Sequence, residues 1–233
     1  EIYQVGGAQA IAALAWGTKS VKPVDKIVGP GNQYVTEAKR QVYGQVGIES
    51  LAGPTELVIV ADESVKAPIV AADLLAQAEH SVDARAVLIT CSRALVASVQ
   101  KALAEQLDAL PRRIIAGKAL EKLGMIVLCK AEREMIELAN AFATEHLELM
   151  VKNPWKLVDR ITAAGAIFVG TDSPEALGDY IAGPNHILPT GRTARFSGPL
   201  SARDFVSVSS IQWFPAGVRS SLAASGQKLA RAE

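Results

Sequence analysis

The sequence predicts an α/β protein in which mostly parallel sheets are flanked by helices. Short apolar runs rich in β-branched residues, the pattern of strands buried on both faces, alternate with longer segments of helical periodicity. This alternation is typical of βαβ units with right-handed crossovers. Of the 233 residues, 49% are hydrophobic and 21% charged, which is ordinary globular composition, so the chain can bury a substantial core.

The predicted elements follow one another in a regular order. Strands are expected at residues 26–29, 56–61, 85–91, 125–129, 147–151 and 166–170. Helices are expected near residues 8–16, 32–46, 66–80, 93–107, 131–143, 154–164 and 215–232. The segment 181–204 is rich in Gly, Pro, Asn and Ser and is too long for a plain connector, which indicates a functional loop. Because open α/β sheets bind ligands outside the carboxyl ends of their strands, we expect the site just after strands and in this loop.

Composition and charge argue against several classes of protein. Lys and Arg together number 24, as do Asp and Glu, so bulk charge does not favour nucleic-acid binding. Cys91 and Cys129 end apolar runs and are expected to behave as small hydrophobes in a reducing compartment, not as a disulfide framework. No apolar run approaches the roughly 20 residues that span a bilayer. The chain opens on Glu1, with no signal-like segment and as if within a domain, so we expect it to be a piece of a longer polypeptide.

The stretch LLAQAEH ends a helical pattern with Gln77 and His80 three residues apart, which places the two side chains on one helix face. The chain has only three histidines. A histidine at a helix end either interacts favourably with the helix dipole or serves as a metal ligand, and spacing alone leaves both readings open.

Two other polar groups invite a chemical interpretation. Glu145 and His146 are adjacent just before a strand, which suits general acid–base catalysis but equally a solvated turn. Asp179, Asn185 and His186 stand among Gly and Pro residues in or near the long loop, where they are candidates for metal or substrate contact.

Two turns add candidate binding residues. Gly29, Pro30 and Gly31 follow a predicted strand and Asn32 opens a helix, an arrangement that suits an anion or merely starts the helix. Thr55 ends an Ala-Gly-Pro-Thr loop and can hydrogen-bond a ligand, cap, or only terminate the turn. The residues alone therefore indicate an α/β protein with a site built from His, Asp, Glu and Gln and with possible anion binding.

Several long motifs resemble those of histidinol dehydrogenases. AGPTELVIVAD, LLAQAEH, EHLEL, GDYIAGPNHILPT and ARFSGPLSARDF occur in the family's order and spacing, and GGAQAIAALAWGT and KIVGPGNQYVTEAKRQV match upstream. The resemblance covers essentially the whole chain. It implies a zinc-dependent enzyme of histidine biosynthesis that oxidises L-histidinol to L-histidine through L-histidinal, using NAD⁺ and two hydride transfers.

The resemblance also implies roles for individual residues. Gln77, His80 and Asp179 look like ligands of one zinc ion per subunit, and Glu145 and His146 look like the acid–base pair. Gln9 and Asn32 match NAD-contacting positions. The positions that match substrate contacts are Thr55, Gln77, His80, His146, Asp179, His186 and Glu233.

Organisation and partners are likewise implied by the family. We expect residues 1–52 to belong to an NAD-binding Rossmann-like domain, 53–200 to a second Rossmann-like domain with the metal and substrate site, and 201–233 to a truncated C-terminal helical extension. Both Rossmann-like domains are expected to be incomplete. The family is a cytoplasmic homodimer in which each tail reaches into the partner's site. A family segment of about a hundred residues or more ahead of Glu1 is absent here, as is the fourth zinc ligand, a histidine beyond Glu233.

Two alternatives to a dehydrogenase stay open. The chain could be an inactive remnant or a metal- and ligand-binding module that keeps the fold, which the missing segments favour. It could also be a structural or interaction protein, which the intact QAEH and Glu145-His146 motifs argue against.

Overall fold

The computed structural model describes residues 1–215 and 217–232, without the side chains of Asp179 and Ser220. The elements in chain order are α1 (Gly7–Trp16), β1 (Lys26–Ile27), α2 (Gln33–Val42), β2 (Gly47–Ile48), β3 (Glu56–Ala61), α3 (Ala67–Ala78), β4 (Arg85–Thr90), α4 (Arg93–Ala109), α5 (Arg113–Leu123), β5 (Met125–Leu128), α6 (Glu132–Phe142), β6 (His146–Met150), α7 (Trp155–Val158), β7 (Ala166–Val169), α8 (Glu175–Tyr180), two 3₁₀ turns (Thr193–Arg195, Ala202–Phe205) and α9 (Val218–Ala230). The α/β class with parallel sheets and flanking helices is confirmed.

A five-stranded parallel sheet in the order β5-β4-β3-β6-β7 forms the centre of the molecule. The chain runs outward from β3 through β4 to β5, and then returns to place β6 on the other side of β3. Every residue of β3 is buried, because helices cover both faces of the sheet. This burial explains why β3 reads as an uninterrupted apolar run after its first residue.

The two faces of the sheet have separate apolar cores. Leu57, Ile59 and Met150 pack with α3 and α4 on one face, together with Leu74 and Val99. On the opposite face, alternate residues of the same strands pack with α6 and α7; these are Val58, Val60, Leu147 and Leu149. Because side chains alternate along a strand, His146 and Glu148 lie on the face of β6 that Met150 shares with α3.

The first 50 residues make a smaller layer with its own core. β1 and β2 pair in parallel over two residues each, and α1 packs against α2. The buried residues of this core are Ile11, Ala15, Ile27, Val42 and Val46. The domain boundaries expected at residues 52 and 200 stay a prediction.

Some sequence-based element predictions are wrong in detail. The helix expected over 32–46 ends at Val42, because Gly44 has φ +101° and turns the chain into β2, a two-residue strand too short to leave a sequence pattern. The helix expected over 154–164 is only the four-residue α7. Helices α5 and α8 were not expected: α5 contains a mid-helix Gly117, and α8 lies in a segment rich in Gly and Pro.

The C-terminal segment before α9 exposes several apolar side chains. Val206, Val208, Ile211 and Trp213 are 67%, 96%, 94% and 80% exposed in the stretch before α9.

None of the described helices combines the length and apolar character that crossing a bilayer requires. Cys91 and Cys129 are both free.

Candidate active site

A cavity of about 360 Å³ brings together five residues that the sequence singled out: Thr55, His80, Glu145, His146 and His186. Thr55 directly precedes β3, Glu145 directly precedes β6, and His80 follows the end of α3. The opposite wall includes Gly29 and Pro30 from the turn after β1. Residues that are far apart in sequence thus converge on one cavity.

The cavity lies at the amino ends of β3 and β6, which corrects the expectation of a site just after strands of the sheet. A helix that follows a strand in a βαβ unit runs antiparallel to it, so the last turn of α3 returns to the amino edge of the sheet. His80 therefore meets Thr55 and His146 there. The segments that follow β1 and β2 also line the cavity, with Gly29 and Pro30 from the first and Glu49 and Ser50 from the second.

A chain of hydrogen bonds fixes Glu145 in the cavity wall. The Thr55 hydroxyl donates to Oε2 of Glu145 over 2.7 Å, and the backbone N–H of Glu56 donates to the same oxygen over 3.1 Å. Nε2 of Gln77 in turn donates to Oγ1 of Thr55 over 2.9 Å. Glu145 is only 9% exposed, so these donors hold a largely buried carboxylate in one position.

His146 is 2% exposed and lies between two carboxylates. Its Nδ1 is 3.8 Å from Oε2 of Glu145, and its Nε2 is 3.8 Å from Oε1 of Glu175. The ring also contacts Phe168, with centroids 6.0 Å apart. Carboxylates on both sides favour the imidazolium that forms when His146 accepts a proton, which suits the residue to base catalysis.

Gln77 offers an oxygen to a ligand. Its side chain is fully buried, and its Oε1 accepts no hydrogen bond from any residue that the structure describes, while its Nε2 is bound to Thr55. A buried carbonyl oxygen without a partner is costly unless a donor or cation occupies that position. The helix expected to reach residue 80 ends at Ala78, so His80 follows α3 instead of lying on its face; its side chain is exposed and lines the cavity.

The remaining predicted ligands lie outside the described part of the chain. The Asp179 side chain and Glu233 are not described, although the backbone of Asp179 belongs to α8. Within the side chains that are described, no group of three or more His, Cys, Asp and Glu residues could hold a metal ion. The structure places Gln77 near the end of α3 and His80 just after that helix, and the predicted set of three zinc ligands stays a prediction.

Neither of the two predicted NAD-contacting residues lines the cavity. Gln9 is exposed on α1. Asn32 caps α2, and its Oδ1 accepts hydrogen bonds from the backbone N–H groups of Tyr34 and Val35 over 3.0 and 3.2 Å. The cap explains why Asn is suited to this position, and it leaves the Asn32 amino group as a donor.

A buried ion pair that the sequence reading missed supports the Gly29 turn. Nζ of Lys39 donates to Oε1 of Glu49 over 2.7 Å and to the carbonyl oxygen of Gly29 over 2.5 Å. The backbone N–H of Gly29 donates to the same Glu49 oxygen over 2.8 Å. Both ionic side chains are only 4% exposed. The only sign of this ion pair in the sequence is that Lys39 falls on the apolar face of the helical pattern of α2.

Three further carboxyl groups that interact with one another were not predicted from the sequence: Asp73, Glu148 and Glu175. Burial, followed by the nearby Asp73 charge, raises the pKa of Glu148 from 4.5 to about 8. Burial raises the pKa of Asp73 to about 6. A signal existed for Glu148, because a glutamate in the middle of an apolar strand is rarely buried without a reason.

Comparison with known proteins gives one consistent result. The family model described as histidinol dehydrogenase matches residues 1–233. Histidinol dehydrogenases from Thermosynechococcus vestitus and Moorella thermoacetica are 54% and 55% identical over 94% and 100% of this chain. These alignments cover 51% and 55% of the relatives, so the chain spans about half their length.

Solved structures agree with the sequence relatives. A histidinol dehydrogenase from Elizabethkingia anophelis superposes with a TM-score of 0.91 at 37% identity, covering 100% of this chain and 54% of that one. A propionaldehyde dehydrogenase from Clostridium phytofermentans has a TM-score of 0.52 at 14% identity over 84% of this chain and 57% of that one, which shows a likeness of fold alone.

Proposed function

The chain belongs to the histidinol dehydrogenase family, and from that premise we propose that the complete protein oxidises L-histidinol to L-histidine through L-histidinal with NAD⁺. This reaction forms the last steps of histidine biosynthesis. The observation that carries the proposal is the convergence of Thr55, Glu145 and His146 on one cavity, with Gln77 bound to Thr55 behind it. The resemblance to the family implies a role in the active site for each of these residues.

The proposed chemistry assigns separate roles to the acid–base pair. His146 accepts the hydroxyl proton of L-histidinol while a hydride leaves the carbinol carbon. Glu145 then removes a proton from the water that adds to the aldehyde, and His146 accepts a proton again in the second oxidation. When bound, NAD⁺ takes up the hydride in each oxidation. The hydrogen bonds from Thr55 and Glu56 hold the Glu145 carboxylate ready for the water step.

The donor set suits a zinc ion. We propose Gln77, His80 and Asp179 as its ligands, because the Gln77 Oε1 is buried without a partner among the described residues and His80 follows the end of the same helix into the cavity lining. A bound zinc ion would supply Lewis acidity and a fixed point for the amine and imidazole nitrogens of the substrate. Because Gln77 is a neutral ligand, it would damp that acidity less than a carboxylate would.

The remaining proposed contacts follow the family motifs. Gln9 and Asn32 are proposed to contact NAD⁺ near the Gly29 turn. The proposed substrate contacts are Thr55, Gln77, His80, His146, Asp179, His186 and Glu233. A cavity of about 360 Å³ is within the range for small-molecule sites.

A second copy of the chain is the proposed protein partner. The apolar side chains before α9, including Ile211 and Trp213, are 94% and 80% exposed, more than a solitary surface segment usually shows. A homodimer with interlocking tails would bury them. The cytoplasmic location stays a prediction.

Formation of NADH from L-histidinol by the complete polypeptide tests the proposal, with zinc present and again after chelation. We expect two NADH per L-histidinol, loss of activity on chelation and recovery on addition of zinc. His146→Asn is expected to suppress both oxidations, whereas Glu145→Gln should impair oxidation of L-histidinal more than that of L-histidinol.

The matched control is Glu137→Gln, which neutralises an exposed carboxylate paired with Arg133 far from the cavity and should leave both rates unchanged. Wild-type rates in both site variants would overturn the assignment of the acid–base pair. A complete polypeptide that binds zinc but forms no NADH would support the inactive remnant instead.

A further inference from the structure

Behind His146, a fully buried carboxyl group joins β6 to the start of α8. Glu148 is 0% exposed and lies two residues after His146 on the same strand, so both side chains point to the same face of the sheet. Oε1 of Glu148 accepts a hydrogen bond from the backbone N–H of Glu175 over 2.9 Å. Glu175 is the first residue of α8 and is itself only 3% exposed.

The side chain of Glu175 also lies near the imidazole of His146. Oε1 of Glu175 lies 3.8 Å from Nε2 of His146, within ion-pair reach of a protonated ring. A continuous set of contacts therefore joins His146, Glu148 and Glu175. His146 and Glu148 lie on one strand, Glu148 accepts a hydrogen bond from the backbone of Glu175, and the Glu175 carboxylate lies beside the His146 ring. Of these three residues, only His146 belongs to the proposed chemistry.

We infer that Glu148 is a positioning residue, which fixes the start of α8 against β6 and thereby holds the Glu175 carboxylate beside His146. The inference rests on the proposed function of His146. Without an acceptor at position 148, the backbone N–H of Glu175 loses the buried hydrogen bond that joins the first turn of α8 to β6.

What the position requires is a hydrogen-bond acceptor, not a charge. Burial and the neighbouring Asp73 and Glu175 carboxylates raise the pKa of Glu148 to about 8, so the group is mostly protonated at neutral pH. A protonated carboxyl group keeps its carbonyl oxygen as an acceptor. Glutamine has the same shape and the same acceptor, whereas methionine fills the space without one.

The test compares Glu148→Gln, Glu148→Met and a matched control, Met150→Leu, in the complete polypeptide. Met150 is also 0% exposed and lies on the same face of β6, so its substitution measures the general effect of disturbing this core. Hydrogen exchange of the peptide that contains α8 is measured together with kcat and KM for L-histidinol. The exchange measurement does not depend on enzymatic activity, so failure of the inference is distinguishable from failure of the proposed function.

We expect Glu148→Met to speed exchange at the start of α8 by about tenfold or more and to lower kcat by a similar factor, with a smaller change in KM. Glu148→Gln is expected to stay within about threefold of wild type in both measurements, as is Met150→Leu. Unchanged exchange in Glu148→Met, or equal losses in the Gln and Met variants, would overturn the inference.

If Glu148→Met does not accumulate as folded protein, the variant Glu175→Gln tests the same inference independently. It keeps the backbone N–H that binds Glu148 and removes only the charge that faces His146. We expect normal exchange of α8 with a lowered kcat. A wild-type kcat in this variant would show that α8 does not act on His146 through Glu175.

Discussion

Removing Lys39 is expected to destabilise the cavity wall by leaving a buried charge without its partner. In the wild-type protein, Nζ of Lys39 binds Oε1 of Glu49 and the carbonyl oxygen of Gly29, and both ionic side chains are 4% exposed. Oε2 of Glu49 is buried and has no hydrogen-bond partner within the described chain, so the carboxylate depends strongly on Lys39. Breaking such a pair from one side costs about 3–5 kcal/mol.

The assay is equilibrium unfolding of Lys39→Met, in which a methionine fills the space of the lysine stem. We expect the free energy of unfolding to fall by about 3–5 kcal/mol. The double variant Lys39→Met/Glu49→Gln should be more stable than the single variant, because glutamine removes the unpaired charge and still accepts the hydrogen bond from Gly29 N–H.

The exposed pair Lys101–Glu105 provides the matched control, since its side chains are 78% and 65% exposed. Lys101→Met should leave stability unchanged within experimental error. A double variant no more stable than Lys39→Met would refute the reasoning, because the loss would then come from packing of the lysine stem and not from the stranded carboxylate of Glu49.

Three further outcomes are expected. Thr55→Val should lower the rate of L-histidinal oxidation by roughly tenfold or more, because Glu145 loses a charge-assisted hydrogen bond, whereas Thr55→Ser should stay near wild type in steady-state kinetics. The raised pKa of Glu148 means that its contribution to stability is fully present below pH 4.5 and is lost as the pH rises through about 8; thermal unfolding of Glu148→Gln across this range should lack that decline. Gly165→Ala should destabilise by about 1–3 kcal/mol, since its Cβ would lie 2.6 Å from the carbonyl oxygen of Glu145, while Gly198→Ala, with nothing within 4 Å, should unfold like wild type.

The sequence predicted the strands of the main sheet well because burial on both faces leaves a clear mark. β3 and β4 match their predicted spans within one residue; β3 is apolar throughout after Glu56, and β4 is apolar from Ala86 to Ile89. Short elements leave no such mark. β2 has two residues and is defined by its pairing with β1, which depends on chain segments more than 20 residues apart.

The sequence predicted several residues that line the cavity, but not the residues that support them. Glu145 and His146 stand in a motif, and the structure places both in one cavity with Thr55. Glu49 and Glu175 belong to no pattern in the sequence, because their importance lies in the tertiary contacts with Lys39 and His146. A supporting carboxylate is recognisable only once the fold has brought its partner to it.

The cavity lies at the amino edge of the main sheet, and this position affects which ligands the cavity can bind. The carboxyl end of α3, with Gln77 and His80, points to the amino edge, and a helix carries partial negative charge at that end, which favours a cation. The opposite edge has the usual nucleotide crevice of a doubly wound sheet, between β3 and β6. There Oδ2 of Asp62 accepts a hydrogen bond from the backbone N–H of Lys152 over 2.9 Å and bridges the two strands.

Asp62 makes that crevice unsuited to a phosphate. Burial alone would raise its pKa, but hydrogen bonds from Ser64 and Lys152 outweigh burial and lower the pKa below its usual value, so the group is ionised at neutral pH. An ionised carboxylate at the switch point repels a pyrophosphate. We therefore expect NAD⁺ to be held on the other side of the cavity, at the Gly29 turn that leads into α2, where the helix N-terminus and Asn32 offer hydrogen-bond donors. On this expectation, the proposed metal and acid–base groups belong to the main sheet with its helices, and the proposed nucleotide contacts belong to the smaller layer.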